Sequence, residues 1–461
     1  MSTELDIRQA QHVHLVGIGG SGMAALASLL AQMGKQICGS DLAQGASVAD
    51  LRARGATIFD SHAARNLAPE VDYVVRSSAV PSNNVEVVEA QRRGLPDRKL
   101  AEAVGELMRG RSCAAVAGTH GKTTTTALAA WFLEQGGVDP LVLIGADTPD
   151  YAHGARPGNG PMIVEADEFD RRFLNYWPEV AVVTSIEADH LDYYRDLAEI
   201  QGVFAQLVER LPSHGRLIAC ADEPCAAALH AESRRETYGF AADADWRVED
   251  YTPVAGAGSR FALRADGRSW AIESPLVGEH NACNVAAAIA VADYFGVGLR
   301  VAIAALPAFK GPRRRFETRG RPRGIWLVDD YGHHPTEVQT VLRAARSVAE
   351  GAVWVVFQPH TTNRTWALFD AFASSFGAAD HALILPIYRP SGRETAGRDV
   401  TSEDLVAGIR RNGHHDARFV DGFAAARDAI ASEARPGDLV LTMGAGDVTL
   451  HADQLLEALG Q

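Results

Sequence analysis

The chain has 461 residues, of which 47% are apolar, and its formal net charge is −14. At roughly 100–200 residues per domain, this length predicts two to four globular domains. The acidic balance argues against nucleic acid as a partner, because an acidic surface repels a polyanion. The five cysteines form no C-x-x-C pair, and the sequence contains neither a signal peptide nor an apolar run that could span a membrane. We therefore expect a cytoplasmic protein without a membrane partner.

The first hundred residues alternate short apolar strands with helical patterns, which is typical of a parallel α/β sheet. The first strand leads into Gly17, Gly19 and Gly22, which form a G-x-G-x-x-G pattern before a helix. Such glycines permit a tight turn and bring a pyrophosphate close to the N-terminus of the helix. Asp41 ends the next strand, where a carboxylate can hold a ribose hydroxyl. The pattern alone fits NAD or another dinucleotide-like ligand.

A second glycine turn, "GTHGKTTTT" at 118–126, lies between another apolar strand and a helix. It resembles the phosphate loop G-x-x-x-x-G-K-[ST], except that Val116 stands where the first glycine is expected. The backbone N–H groups and Lys122 would hold the phosphates of a nucleotide, and the hydroxyl of Thr123 would bind Mg²⁺. Only four of the 44 basic residues are lysine, which argues against a chance match.

Acidic groups follow the next two predicted strands. Glu165, Asp167 and Glu168 come after one of them, and Asp189 and His190 after the other. Because strand C-termini converge on one crevice in an open parallel sheet, we expect these groups to bind Mg²⁺ near the phosphate loop. The alternative is that they cap helices, since Asp and Glu favour the first helical turn.

Two asparagines begin a later helix in the segment "GEHNACN". Asn281 and Asn284 are three residues apart and so share a face of the helix. Their amides can both donate and accept, which suits the edge of an adenine ring. Helix capping is the alternative.

Gly, Pro and Arg cluster at 309–324, and the α/β alternation restarts after this break. Asp330 and His333 follow one strand, and His360 and Arg364 follow the next. At the mouth of a sheet, His333, His360 and Arg364 could bind a carboxylate or order an incoming amine. A purely structural role for each histidine is the alternative.

These segments, in this order, resemble the Mur ligase family of bacterial peptidoglycan synthesis. The matching stretches include "VGIGGSGM", "EADEFD", "IEADH", "RRRFE", "DDYGHHPTE", "FQPH" and "GAGD", and they extend from Gly17 to Asp447. The resemblance implies an α/β fold of three domains. These are a Rossmann-like domain at 1–108 for a UDP-sugar, a P-loop ATPase-like domain at 109–311, and a Rossmann-like domain at 312–461 for an amino acid. On this interpretation the first glycine turn serves UDP rather than NAD.

The resemblance is strongest to the member that joins L-alanine to UDP-N-acetylmuramate. It implies ATP and Mg²⁺ as cofactors, an acyl phosphate intermediate, and a monomer or homodimer. It also implies the following sites. The sugar-nucleotide residues are Gly17, Gly19, Gly20, Ser21, Gly22, Asp41 and Ser78; the ATP residues are Gly118, Thr119, His120, Gly121, Lys122, Thr123, Thr124, Asn281, Asn284, Arg314 and Asp330; the amino-acid residues are His333, His360 and Arg364; the metal ligands are Thr123, Glu165 and His190; and the catalytic residues are Lys122, Glu165, His190, Arg314 and His333.

The sequence departs from the family pattern at two points. Thr361 stands where some members have an arginine, so the carboxylate of alanine would depend more on Arg364. Some members also use a carbamylated lysine beside a second metal ion, but no lysine occurs between Lys122 and Lys310.

Three other functions fit parts of the sequence. One is the recycling ligase that adds a whole tripeptide to the same sugar nucleotide, and another is the ligase that acts next in the pathway. "IEADH" and "GEHN" look more like the alanine-adding member. The alternative from another class is a nucleotide-binding regulator or an NAD(P) dehydrogenase.

Overall fold

A computed structural model describes residues 5–191, 193–389 and 400–460. In this part of the chain, no helix is long and apolar enough to cross a membrane. The chain divides into two compact units. The first unit is Met1–Glu249, Leu263–Trp270 and Cys283–Pro312, and the second is Asp250–Ala262, Ala271–Ala282 and Arg313–Gln461.

The N-terminal sheet has five parallel strands in the order β3-β2-β1-β4-β5. This order is that of a Rossmann fold, and ligands bind such sheets where the strand order reverses, here between β1 and β4. The G-x-G-x-x-G turn follows β1 and therefore lies at this point. The elements are β1 (His12–Val16), α1 (Ser21–Gln32), β2 (Gln36–Ser40), α2 (Ala46–Ala53), β3 (Thr57–Phe59), β4 (Tyr73–Arg76), α3 (Val85–Arg92), β5 (Asp97–Lys99) and α4 (Leu100–Met108).

The second sheet has ten strands in the order β15-β14-β13-β12-β11-β10-β6-β9-β7-β8. Its central strands β10, β6 and β9 are parallel neighbours, so the segments that follow them meet at one edge. The elements are β6 (Cys113–Ala117), α5 (Lys122–Gln135), β7 (Leu141–Leu143), β8 (Ala155–Arg156), β9 (Met162–Ala166), β10 (Val180–Val183), α6 (Leu197–Val208), β11 (Arg216–Cys220), α7 (Pro224–Ala227), β12 (Arg234–Gly239), β13 (Trp246–Val254), β14 (Gly258–Ala265), β15 (Arg268–Ser274), α8 (Glu279–Tyr294) and α9 (Leu299–Ala305).

The third sheet has six strands in the order β16-β17-β21-β18-β19-β20, and only the edge strand β16 is antiparallel. Alternate residues of β18 enter two apolar clusters, with Val355 in one and Trp354 in the other, so both faces of the sheet are covered. The elements are β16 (Glu317–Gly320), β17 (Trp326–Asp330), α10 (Pro335–Val348), β18 (Val353–Phe357), α11 (Thr362–Ala367), α12 (Phe369–Ala373), β19 (His381–Ile384), α13 (Ser402–Arg411), β20 (Ala417–Phe419), α14 (Phe423–Glu433), β21 (Leu439–Met443) and α15 (Ala452–Gly460).

The predicted α/β class with three sheets is confirmed. Each glycine turn follows an apolar strand and precedes a helix, as the sequence pattern indicates. The three-residue strands β3 and β5 escape the sequence analysis because they are too short to show a hydrophobic period. The domain boundaries after residues 108 and 311 stay predictions.

Candidate active site

The phosphate loop joins β6 to α5 in a conformation that requires glycine. Gly118 and Gly121 have φ angles of +134° and +79°, a region that L side chains rarely adopt. A Cβ atom at Gly118 would collide with Oγ1 of Thr184, just after β10. The backbone N–H of Thr119 donates to the carbonyl of Ser185 at 2.8 Å. The loop is thus held against the end of the neighbouring strand.

Lys122 begins α5 and reaches back toward the acidic residues after β9. Its Nζ lies 3.0 Å from Oε2 of Glu168, and the lysine and glutamate side chains are 15% and 4% exposed. Burial would lower the pKa of Lys122, but Glu168, Asp167 and Glu165 outweigh it and raise the pKa. Burial raises the pKa of Glu168, against the opposing charge of Lys122. Arg172 also pairs with Asp167, with Nη1 2.6 Å from Oδ2, so two cations face three carboxylates at this edge of the sheet.

Thr123 and Glu165 are in direct contact. Oγ1 of Thr123 donates to Oε1 of Glu165 at 3.1 Å, and the backbone N–H of Gly145 donates to Oε2 at 3.0 Å. Two of the three predicted metal ligands are therefore adjacent.

The third predicted metal ligand, His190, belongs to a different group of side chains. One ligand atom each from Asp167, Glu168 and His190 lies within 4.8 Å of the other two. His190 adopts a left-handed φ of +54°, and its backbone N–H donates to Oδ1 of Asp189 at 2.7 Å. Two carboxylates and an imidazole this close together fit a divalent cation. The ligand roles of Thr123, Glu165 and His190 stay predictions.

The two predicted adenine-binding asparagines both hydrogen-bond within their own units. Asn284 accepts a hydrogen bond from Oγ1 of Thr125 at 3.1 Å, and a Cβ atom at Gly121 would lie 2.7 Å from its Oδ1. Nδ2 of Asn281 donates to the carbonyl of Val277 at 2.8 Å. These contacts support a structural role for each amide. The predicted contact with adenine is untested.

The first glycine loop, which is predicted to hold a sugar nucleotide, is fixed by the end of β2. The backbone N–H groups of Gly17 and Ile18 donate to the carbonyl of Ser40 at 2.8 and 3.1 Å. The backbone N–H of Gly19 donates to Oδ2 of Asp41 at 2.7 Å. Asp41 thus holds the loop itself, a role that the sequence analysis missed. The other predicted members lie around the loop, with Gly20, Ser21 and Gly22 at the start of α1 and Ser78 in the turn after β4.

Four side chains of the third sheet's unit form a row of stacked and edge-to-face contacts, the ring row, which consists of Arg314, Tyr331, His333 and His360. The guanidinium of Arg314 lies 4.9 Å from the ring centroid of Tyr331. The Tyr331 ring meets His333 edge to face at 5.0 Å, and His333 meets His360 at 5.9 Å. The predicted residues Arg314, His333 and His360 are thus brought together. The sequence analysis missed Tyr331, although it stands between two predicted site residues in "DDYGHH".

The remaining predicted residues of this unit are Asp330 and Arg364. Asp330 accepts hydrogen bonds from the backbone N–H groups of Gly332 at 2.7 Å and Phe316 at 2.8 Å, and burial raises its pKa to about 6. Arg364 lies in α11, where its backbone N–H donates to Oγ1 of Thr361 at 3.3 Å. Thr361 has a φ of +64°, which is strained for a β-branched residue.

Models of three Mur ligase domains match the chain. The Mur ligase family catalytic domain matches residues 12–112, the middle domain 116–292, and the glutamate ligase domain 314–446. The UDP-N-acetylmuramate–L-alanine ligase of Anaeromyxobacter sp. (strain Fw109-5) is 43% identical over 451 residues, which is 97% of each chain. The chain belongs to the Mur ligase family.

Solved structures of Mur ligases extend the match to the fold. The UDP-N-acetylmuramate-alanine ligase of Thermotoga maritima superposes with a TM-score of 0.82 at 26% identity, covering 97% of this chain and 98% of that one. A murein peptide ligase of Psychrobacter arcticus superposes with a TM-score of 0.69 at 28% identity, covering 98% and 99%.

His280, in the "GEHN" motif, generates a prediction about stability. Burial and the nearby charge of Arg315 lower its pKa from 6.5 to about 4. Between these values the unfolded chain binds more protons than the folded one, so stability should fall as the pH drops from 6.5 to 4. We expect His280→Gln to remove roughly 3 kcal/mol of this pH dependence. Urea titrations of both proteins across this range measure it, and identical pH profiles would contradict the assignment.

Proposed function

We propose that this Mur ligase joins L-alanine to the lactyl carboxylate of UDP-N-acetylmuramate, converting ATP to ADP and phosphate. The observation that carries the proposal is the full-length similarity to alanine ligases. Besides the Anaeromyxobacter enzyme, that of Chelativorans sp. (strain BNC1) is 41% identical over 97% of this chain. The superposition on the Thermotoga alanine ligase, at a TM-score of 0.82 against 0.69 for the murein peptide ligase, favours alanine over a peptide.

Each substrate would have its own domain. The glycine loop after β1 would hold the UDP pyrophosphate within 1–108, and the loop after β6 would hold ATP within 109–311. The ring row of the third sheet would receive alanine within 312–461. We keep cytoplasmic localisation, and a monomer or homodimer, as predictions from the sequence.

The reaction would proceed in two steps. The lactyl carboxylate attacks the γ-phosphorus of ATP, which forms an acyl phosphate and releases ADP. The alanine amine then attacks the carbonyl carbon, loses a proton and expels phosphate, leaving an amide. Phosphoryl transfer depends on positioning and charge neutralisation, and the raised pKa of Lys122 keeps this side chain cationic for that task.

The residues after β9 and β10 fit Mg²⁺. Thr123 and Glu165 would hold one ion with the ATP phosphates, and His190 a second one with Asp167 and Glu168. Bound Mg²⁺ would neutralise charge on the transferring phosphoryl group.

A phosphate-release assay tests the proposal directly. UDP-N-acetylmuramate and ATP would be supplied with each of the twenty amino acids or with the L-Ala–γ-D-Glu–diaminopimelate tripeptide. We expect release with L-alanine above all others. Faster release with the tripeptide would favour the recycling ligase. If none of the tested acceptors gave phosphate release, the ligase function would be rejected.

Lys122→Ala tests the phosphate loop. Losing the cation beside the transferring phosphoryl group should lower turnover by about 100-fold or more. Lys310→Ala is a matched control, because Lys310 is exposed and lies outside the loop, and it should turn over like the wild type. A folded Lys122→Ala enzyme with nearly normal turnover would contradict the assignment.

Arg364→Lys tests the amino-acid site. Lysine keeps the charge but loses the planar fork that binds a carboxylate through two hydrogen bonds. We expect KM for alanine to rise by about 10-fold or more, while KM for ATP and the sugar nucleotide changes little. If KM for ATP rose instead, Arg364 would serve the nucleotide.

A further inference from the structure

The N-terminal sheet contains a buried carboxylate that the proposed reaction does not use. Glu86 lies in the first turn of α3, where an acidic side chain ordinarily faces solvent near the helix dipole. Here the side chain is 0% exposed and points into the domain. An ionised group is costly to bury unless hydrogen bonds and charges compensate it, so its partners indicate what it stabilises.

Glu86 is surrounded by polar side chains from several elements. Oγ of Ser40, at the end of β2, donates to its Oε2 at 2.6 Å, and Nδ2 of Asn66 donates to its Oε1 at 2.5 Å. Nε2 of His14 lies 3.5 Å from Oε2, and Nδ1 of His62 lies 3.3 Å from it. Burial alone would raise the pKa of Glu86, but His14 and Ser40 outweigh it and lower the pKa to about 2. The carboxylate is therefore ionised across the physiological pH range.

Ser40 connects this carboxylate to the glycine loop. Its hydroxyl is bonded to Glu86, while its backbone carbonyl accepts the N–H groups of Gly17 and Ile18. The next residue, Asp41, accepts the N–H of Gly19. Ser40 itself is 0% exposed. Ser40 thus binds the glycine loop through its backbone carbonyl and the buried carboxylate of Glu86 through its hydroxyl.

We propose that Glu86 is a positioning residue of the sugar-nucleotide site, which fixes the glycine loop through Ser40 for binding of a nucleoside diphosphate. The inference rests on the proposed function for the identity of that ligand. Glu86 does not touch the ligand in this account. It sets the conformation of the main chain that the pyrophosphate approaches, because a loop that is already ordered loses less entropy on binding.

The same domain offers a matched control. Glu106 is a second buried carboxylate, at 6% exposure. It accepts hydrogen bonds from the backbone N–H of Ile7 at 2.9 Å, the hydroxyl of Tyr73 at 2.7 Å and Nε of Arg98 at 3.1 Å. A purely structural role would make Glu86→Gln and Glu106→Gln behave alike.

Two measurements on the full chain test the inference, namely its affinity for UDP-N-acetylmuramate and the hydrogen exchange of its backbone amides. Calorimetry with UDP-N-acetylmuramate should give a Kd about 10-fold higher for Glu86→Gln than for the wild type. The Kd for a non-hydrolysable ATP analogue should stay the same, and Glu106→Gln should leave both constants unchanged. Hydrogen exchange at the amides of Gly17, Ile18 and Gly19 should accelerate only in Glu86→Gln.

Two results would overturn the inference. One is a folded Glu86→Gln protein with wild-type sugar-nucleotide affinity and wild-type exchange in the loop. The other is an equal loss of affinity in Glu106→Gln. If Glu86→Gln does not fold, Ser40→Ala takes its place in both measurements with the same expected results. A wild type that does not bind UDP-N-acetylmuramate would refute the proposed function, and loop exchange would then decide the role of Glu86.

Discussion

The pairing of two cations with three carboxylates is the electrostatic constraint on which the candidate site depends, since Arg172 pairs with Asp167 close to Lys122. Lys122 is largely buried beside Glu168, and Glu165 and Asp167 lie close enough to raise its pKa. Neither sign of charge can be buried there alone, because an unpaired buried charge is strongly destabilising. The three carboxylates raise the pKa of Lys122 and so keep a cation at the start of α5, beside the predicted phosphate loop.

The fold brings these charges together through strand order rather than through proximity in sequence. β6, β9 and β10 are adjacent in the sheet, although more than 40 residues separate Lys122 from Glu165. In the third sheet, Tyr331 and His333 follow β17 and His360 follows β18, and β21 lies between these two parallel strands. In both sheets, apolar strands provide the rigid frame and the residues just beyond them provide the chemistry.

Much of the fold follows from the sequence, because long buried strands and glycine turns have strong local signals. The phosphate loop is an example, since Gly118 and Gly121 occupy φ values that only glycine adopts easily. Side-chain partnerships are less accessible. The predicted ligand roles of Asp41 and His190 stay predictions. The structure adds that Asp41 bonds the backbone of Gly19 and that His190 lies close to Asp167 and Glu168. Such pairings depend on which strands become neighbours, which no local pattern encodes.

The central claim is that the charge cluster after β6, β9 and β10 transfers the γ-phosphoryl group of ATP to a carboxylate. Positional isotope exchange in ATP labelled at the β,γ-bridging oxygen tests it most directly. The account predicts scrambling of the label when UDP-N-acetylmuramate is present and alanine is absent, because the acyl phosphate forms reversibly before the amine attacks. Scrambling in the absence of the sugar nucleotide would contradict the claim. The claim would also be contradicted if the enzyme turned over with alanine but showed neither scrambling nor an acyl phosphate that borohydride can trap.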